Sequence, residues 1–301
     1  MSALCCDEYG TARISCQIDG EVAGKSVRVF HYSRNQTLVG GAFTTAELVF
    51  HAVVRNIRSQ HSNAVVAIIV NIIQVLLIVT AFYFLLSLLG TRVAKIRGEF
   101  ILFLLSGVFV FLTHIKSVGA IASAGSGNSP MMLHSPMNRI VMLMASAFGI
   151  FYTQLVSILV ILFGYSVAVA PLEVQDPGGA FAMLVLSWFT GCAVGLVFLA
   201  IQPWFPRLAA ILSLAYRRLN MIFSGKMFIA NALGGFMLTM FAWNPLFHII
   251  DQCRGFIFRN YFPRNTSWEY ALWVGIVLTM IGLMAEFYTR KHVSKSWSAR
   301  R

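Results

Sequence analysis

From Asn63 onward the chain is a succession of long apolar runs, and that succession restricts its fold more than any other feature. The runs cover Asn63 to Leu89, Phe100 to Ala122, Ile140 to Val169, Gly179 to Ile201 and Ser267 to Thr289. Each reaches the roughly 20 residues that a helix rising about 1.5 Å per residue needs to cross the hydrocarbon of a bilayer. A helix closes its backbone hydrogen bonds within its own segment, which lipid requires. Of the 301 residues 58% are hydrophobic and only 11% charged, so one polytopic membrane domain, all-α in class, accounts for the composition.

Between Asn220 and Phe258 the chain is apolar for too long to be one span, yet Trp243-Asn244-Pro245 breaks it too late for two. A crossing over Asn220 to Gly235 is expected, the fifth of six in the chain, followed by a re-entrant helical hairpin before the last span. Non-helical backbone at membrane depth survives where protein or a water-filled cavity covers it, as in a gate, filter or pore. Asn244 and Pro245 read as N-cap and first helical residue, since proline lacks the amide hydrogen a helix start leaves unpaired. The helix they open runs to about Phe258. Leu246, Ile249, Ile250, Cys253 and Ile257 form its apolar face, while His248, Asp251, Gln252 and Arg254 share the rest, with Asp251 and Arg254 spaced for a local pair. Two roles fit such a helix, an interfacial one whose charges touch water and a gate whose polar face looks onto a conduit. The break in the segment before it points to the gate.

Six crossings put both termini on one side. Fifteen lysines and arginines flank the spans on that side and six on the other, so the termini are expected in the cytosol, with Arg92, Lys95 and Arg97 of the first outer loop running against the rule. Trp268, Tyr270 and Trp273 suit interfacial anchors of the last span. Residues 1 to 43 are polar, lack the apolar core of a secretory signal and are expected to form a cytosolic segment preceding the membrane domain of residues 44 to 301. At Thr44-Thr45-Ala46-Glu47 a capping box opens an amphipathic helix. Its apolar face is Ala46, Val49, Phe50, Val53 and Ile57, and Glu47, His51, Arg55 and Arg58 lie opposite. It is read as an interface helix in the headgroup plane, with an extension of the first span as the alternative. The net charge of +12 clusters beside apolar segments without interleaved aromatics, which fits anionic lipid and excludes nucleic acid as a partner.

Chemistry-bearing motifs are scarce. Cys5, Cys6, Cys16, Cys192 and Cys253 have no metal-ligand spacing, so no metal site is expected. There is no phosphate-binding loop, because Ser224-Gly225-Lys226 leads to Met227, and no metalloprotease or serine-hydrolase motif. The chain by itself is not an enzyme of ATP hydrolysis. Intramembrane cations are expensive and commonly functional: Lys116 and His114 lie in the second span and Lys226 in the fifth, where Lys226 suits a snorkelling position and Lys116 fits either role. Glu286 suits an interface or a pairing role. Gly191 and Gly195 form a GxxxG for close helix approach. In the loop after the second span, Ser129-Pro130-Met131-Met132-Leu133-His134-Ser135-Pro136-Met137-Asn138-Arg139, two Ser-Pro steps bracket adaptable methionines. That pattern suits a plug for a partner's groove or an ordinary loop.

The stretch Asn244 to Arg254 (N-P-L-F-H-I-I-D-Q-C-R), the amphipathic helix and the Arg217-Arg218 pair resemble the permease subunits of type-2 ABC (ABC-2) exporters, especially those for capsule and O-antigen polysaccharides. The resemblance implies a half-transporter that pairs with a second copy of itself and with separate ATPase subunits. ATP and Mg would be bound by the ATPase, with no cofactor on this chain. It further implies that Ser129 to Arg139 couples to the ATPase and that the interface helix runs over about Thr45 to Gln60. Re-entrant helices would lie near Gly235 to Ala242 and Pro245 to Phe258, and periplasmic or outer-membrane export components are conceivable partners. Gly234-Gly235 and Asn244-Pro245 are the expected hinges, and Lys116, His248, Asp251 and Arg254 the expected gate and translocation residues. The function this implies is polysaccharide or lipid-linked saccharide export across the inner membrane of a bacterium. Phe151, Tyr152, Tyr165, Phe223 and Phe228 are candidate channel aromatics. The alternatives are an ABC-2 exporter of small amphiphiles, drug or lipid, and a membrane-embedded transferase using His134 or His248.

Overall fold

The computed structural model describes residues 46–56, 64–88, 100–124, 139–168, 171 and 173–298, and every regular element among them is helical. They belong to one compact unit. In chain order the helices are α1 (46–56), α2 (Ala64–Leu88), α3 (Phe100–Ala124), α4 (Arg139–Ala168), α5 (Pro177–Ile201), α6 (Pro206–Phe223), α7 (Gly235–Ala242), α8 (Pro245–Ile257) and α9 (Trp268–Ser298). Five carry stretches long and apolar enough to cross a membrane: Val66–Leu88, Phe100–Ala124, Ile140–Ala168, Pro177–Ile201 and Trp268–Thr289. These match the five uninterrupted apolar runs of the sequence. The segment 1–43, Thr44 and Thr45 of the capping box, Arg58, the bases at 92–97 and Ser129 to Asn138 lie outside the described residues.

α3 is the spine of the molecule, with Leu102 through His114 buried without interruption. α2 and α9 turn large apolar side chains outward, among them Leu77, Phe84, Met284 and Phe287. Such outward apolar faces suit lipid, where a water-soluble protein would carry charge. Glycines set the approach of α5 to its neighbours. A Cβ on Gly191 would stand 2.6 Å from the His114 carbonyl oxygen, and one on Gly195 would stand 2.7 Å from Cβ of Ile121, so the expected GxxxG contact is the α3–α5 seam. On the other side of α5, Gly275 of α9 faces Phe189 and Thr190, and Gly282 faces Leu196.

These contacts also fix direction. Val110, His114 and Ile121 of α3 meet Ser187, Thr190 and Gly195 of α5 in ascending order, and Gly275, Gly282 and Thr289 of α9 meet Thr190, Leu196 and Ala200 of α5 in the same way. Hence α3, α5 and α9 run parallel. The chain between Ile201 and Trp268 therefore travels back along the length of α5 before α9 begins.

The return path differs from the helix expected over Asn220 to Gly235. The helix starts earlier, at Pro206, and ends at Phe223. Gly225 then takes a left-handed backbone (φ +67°), where a Cβ would also strike the Phe247 ring. A 3-10 turn at Ala230–Ala232 follows, then α7 and α8. α6 is amphipathic, with Arg207, Arg217 and Arg218 along it, which hid it from a search for apolar runs.

Candidate functional site

α8 begins as its sequence indicates. The Asn244 side-chain oxygen accepts from the Leu246 amide at 3.1 Å with Pro245 in the first turn. The side-chain nitrogen of Asn244 donates to the Asn220 side-chain oxygen at 2.9 Å and to the Phe223 carbonyl at 3.0 Å, tying α8 to the last turn of α6.

The polar residues of α8 do not form an open face. Asp251 and Arg254 are each 1% exposed, and His248 is buried as well. The guanidinium of Arg254 stacks on the Phe103 ring, 3.9 Å from its centroid. It donates to the Phe228 carbonyl at 2.7 Å and to the Lys226 carbonyl, so it gathers the chain reversal after α6 around itself. The Gly225 carbonyl lies 3.5 Å from the same guanidinium, and several carbonyls at one turn suit the planar donor fork that arginine supplies. Asp251 turns the other way, accepting from the Tyr261 hydroxyl and from Thr266 Oγ1 at 2.7 Å. Burial and the nearby Asp251 carboxylate hold the Tyr261 phenol well above its ordinary pKa, so it stays a donor. Gln252 adds a bond to the Thr266 carbonyl at 2.7 Å. The expected local pairing of Asp251 with Arg254 is thus replaced: each has partners on a different loop.

His248 bridges three elements. Nε2–H donates to the Ala242 carbonyl at 2.7 Å and Nδ1 accepts from the Ser267 amide at 3.1 Å, which fixes the neutral tautomer. Burial pushes its pKa below the ordinary value, against the opposing pull of the Ala242 carbonyl and Asp251. The Tyr270 ring lies 4.7 Å from the imidazole and its hydroxyl donates to the Trp243 carbonyl at 2.8 Å. Tyr270, expected as a lipid anchor, therefore holds the α7–α8 junction. With both ring nitrogens of His248 committed to backbone, the ring is not available as a transferase base.

Lys226 does not snorkel. It is 2% exposed, its ammonium lies 3.7 Å from the centroid of Phe111, and it donates to the Met221 carbonyl at 2.6 Å. Lys116 donates to the Asn71 side-chain oxygen, which also accepts from Gln154 at 3.1 Å, so α2, α3 and α4 share one polar node. His114 joins α3 to α5 and α6 through Thr190 at 3.2 Å and Tyr216 at 2.9 Å. Lys116 thus sits apart from the cluster on α8, in a separate network. Gly234 and Gly235 have open space where a side chain would go.

On α1, Val49, Ala52 and Val53 pack against Val141 and Ala145 of α4, and Asn56 donates to Ser146 at 3.2 Å. Phe50, expected on the same face, is exposed, while Glu47 and His51 approach to 3.9 Å; Arg55 is exposed. The channel aromatics do not line one passage. Phe151 packs at a tilt against Trp188, Tyr165 joins the core, Tyr152 is exposed, and Phe223 and Phe228 pack around Phe241.

Tyr261, Thr266, Asn220 and Phe103 complete the site and carried no signal of their own in the sequence. Only the aligned polar positions of α8 announced that partners must exist for them. The result is a multi-pass helical membrane protein with a buried polar knot where α6, α8 and α9 meet, in which Arg254 Nε is left without a partner among the described residues. The knot's side chains are committed chiefly to structural hydrogen bonds between helices and loops.

No protein-family profile matches the chain. Two curated Escherichia coli proteins are similar to it, both called polysialic acid transport protein KpsM, at 30% and 29% identity over 115 residues. Each match takes in 37% of this chain and 44% of the relative, so the chain spans under half the length of the curated relatives it matches. These similarities support the resemblance to polysaccharide export permeases drawn from the Asn244 to Arg254 motif.

Proposed function

We propose that the chain is the permease subunit of an ATP-driven ABC-2 exporter, moving polysaccharide, free or lipid-linked, outward across a bacterial inner membrane. The similarity to polysialic acid transport proteins carries this proposal. The parallel course of α5 and α9 supports six crossings with α6 as the return, and the excess of lysine and arginine on the side of the termini favours the cytosol for both. α7 and α8 would then form the re-entrant hairpin on the outer side. A second copy completes the conduit, ATPase subunits bind the loop at Ser129 to Arg139, and ATP and Mg stay with those subunits. Export components of the outer envelope are further candidate partners.

The work of such a chain is conformational. Closure of the ATPase pushes the loop, and the spans tilt as a two-state unit. The bonds of Asn244, His248, Asp251 and Arg254 make α8 move with α6 and the start of α9. α7 is tied only toward its C-terminal end, where the Ala242 carbonyl accepts from His248 and Phe241 is buried, while Phe236, Met237 and Met240 are exposed. It is the movable flap, hinged at Gly234-Gly235 and held at Asn244-Pro245. Co-expression with a Walker-type ATPase tests this: the two should co-purify, and export should require both. A stable complex without ATPase, with export unaffected by Met131→Asp, would sink it.

One observation favours export of small amphiphiles instead. An apolar cavity of about 260 Å³ lies between α3, α4, α5 and α8, lined by Leu102, Phe109, Leu155, Leu184, Cys253 and Ile257 among others. Transport of an apolar dye that Leu155→Trp blocks, with polysaccharide export untouched by the same change, would support that route.

A further inference from the structure

Beside the sealed knot around Asp251 and Arg254 lies a surface of opposite construction. Where the 3-10 turn Ala230–Ala232 meets the loop before α9, a polar pocket of about 460 Å³ opens, lined chiefly by Asn231, Asn260, Tyr261, Phe262, Arg264 and Asn265. That volume is in the range of sites for small ligands.

The pocket is held in shape by the protein. Asn231 donates to the Phe262 carbonyl at 2.8 Å and accepts from the Arg264 amide at 3.2 Å, so the turn and the loop are stitched together. Pro263 packs onto Gly255 of α8, where a Cβ would stand 2.8 Å from the proline ring. Tyr261, one wall, is fixed from behind by its bond to Asp251. Ordering costs on binding are therefore small.

Its chemistry is selective. Asn260 and Asn265 are exposed, and each amide offers both a donor and an acceptor, the match for neighbouring hydroxyls. Phe262 presents a ring that is 71% exposed. The Arg264 guanidinium has no ion pair among the described residues, and its planar fork fits a carboxylate. Between Asp251 and Glu269 the chain has Arg254, Arg259 and Arg264 and no acidic residue. A lipid tail would find too little apolar wall, and a neutral sugar would leave Arg264 unused.

We infer that this pocket binds a segment of an acidic oligosaccharide, its carboxylate on Arg264, its hydroxyls on Asn260 and Asn265, and a sugar ring face against Phe262. The inference deepens the exporter proposal and rests on it for the choice of ligand. Because Tyr261 joins the pocket to Asp251, an occupant touches α8 through a single hydrogen bond, so arrival of the glycan is sensed by the helix beside the flap.

The test is equilibrium binding to the full chain in phosphatidylcholine nanodiscs without ATPase, using hexasialic acid as the acidic probe and maltohexaose as the neutral one. The acidic hexamer is expected to bind about tenfold tighter or more than the neutral one, and Arg264→Gln to remove that preference. Asn260→Ala with Asn265→Ala should weaken both probes, with the thermal unfolding midpoint unchanged in all variants. Equal affinity for the two glycans, or an acidic preference that survives Arg264→Gln, would overturn the inference. So would glycan binding that vanishes in phosphatidylglycerol discs, which would assign the pocket to lipid headgroups. Acidic-glycan binding by a chain that associates with no ATPase refutes the exporter and leaves the pocket, whereas ATP-driven export with no such binding does the reverse.

Discussion

The side-chain amide of Asn244 donates to the side-chain oxygen of Asn220 across 2.9 Å, so the cap that starts α8 also closes the end of α6. One residue thereby does two jobs. Asn244→Ala removes the cap and two cross-bonds together, and should lower stability by about 2 kcal/mol, read as denaturant unfolding in micelles. Asn244→Asp keeps the acceptor for the Leu246 amide and loses the donors, so it should fall between wild type and the alanine variant.

Arg254 and Lys226 are both buried cations of the same region, yet they should respond oppositely to removal. Arg254 feeds the carbonyls of Lys226 and Phe228, and Arg254→Met strands them, at a cost of about 3 kcal/mol. Arg254→Lys should rescue little, since an ammonium cannot reach several carbonyls in one plane. Lys226 has one carbonyl and the rings of Phe111 and Phe82 for partners, so Lys226→Met should leave the unfolding midpoint unchanged or raised. A midpoint that falls equally for both substitutions would contradict this contrast.

His248 makes the fold acid-sensitive. Its pKa in the folded protein lies below the ordinary 6.5, so the unfolded chain takes up the proton first. Stability from this group is full above about pH 6.5 and is lost as pH falls below it, because a protonated Nδ1 would present a second donor to the Ser267 amide. Thermal unfolding between pH 5 and 8 should show that slope, and His248→Gln should flatten it.

The glycines divide into packing and hinge positions. Gly191→Ala places a Cβ 2.6 Å from a backbone oxygen and should destabilise by about 1 to 3 kcal/mol. Gly234→Ala meets nothing within 4 Å, and the backbone there (φ −66°) suits alanine, so folding should be unharmed. A loss of export in Gly234→Ala at unchanged stability is the signature of a hinge; unchanged export would remove that role.

Much of this was legible in the sequence because certain residues act locally. Asn244-Pro245 marks a helix start through one cap and one missing amide hydrogen, and Gly191 and Gly195 mark a close approach by lacking Cβ atoms. The glycine pair before Phe236 likewise marks where α7 begins. α6 escaped detection because Arg207, Arg217 and Arg218 interrupt its apolar letters, and because the apolar letters after Phe223 conceal a left-handed turn at Gly225. The partners of Asp251 and Arg254 escaped it for a different reason. Tyr261, Thr266 and the carbonyls after Gly225 are brought to α8 by the loops, and helical periodicity within α8 cannot report them. Periodicity shows that the polar groups share one side, but not whether that side faces water or protein.

The most direct measurement of the account is ATP-dependent uptake of an acidic polysaccharide into inverted inner-membrane vesicles that contain the chain and its co-expressed ATPase. Uptake should need ATP and both proteins, and should fall when the flap hinge is altered by Gly234→Ala. Uptake that proceeds without the chain, or that the chain supports without any ATPase, would contradict it.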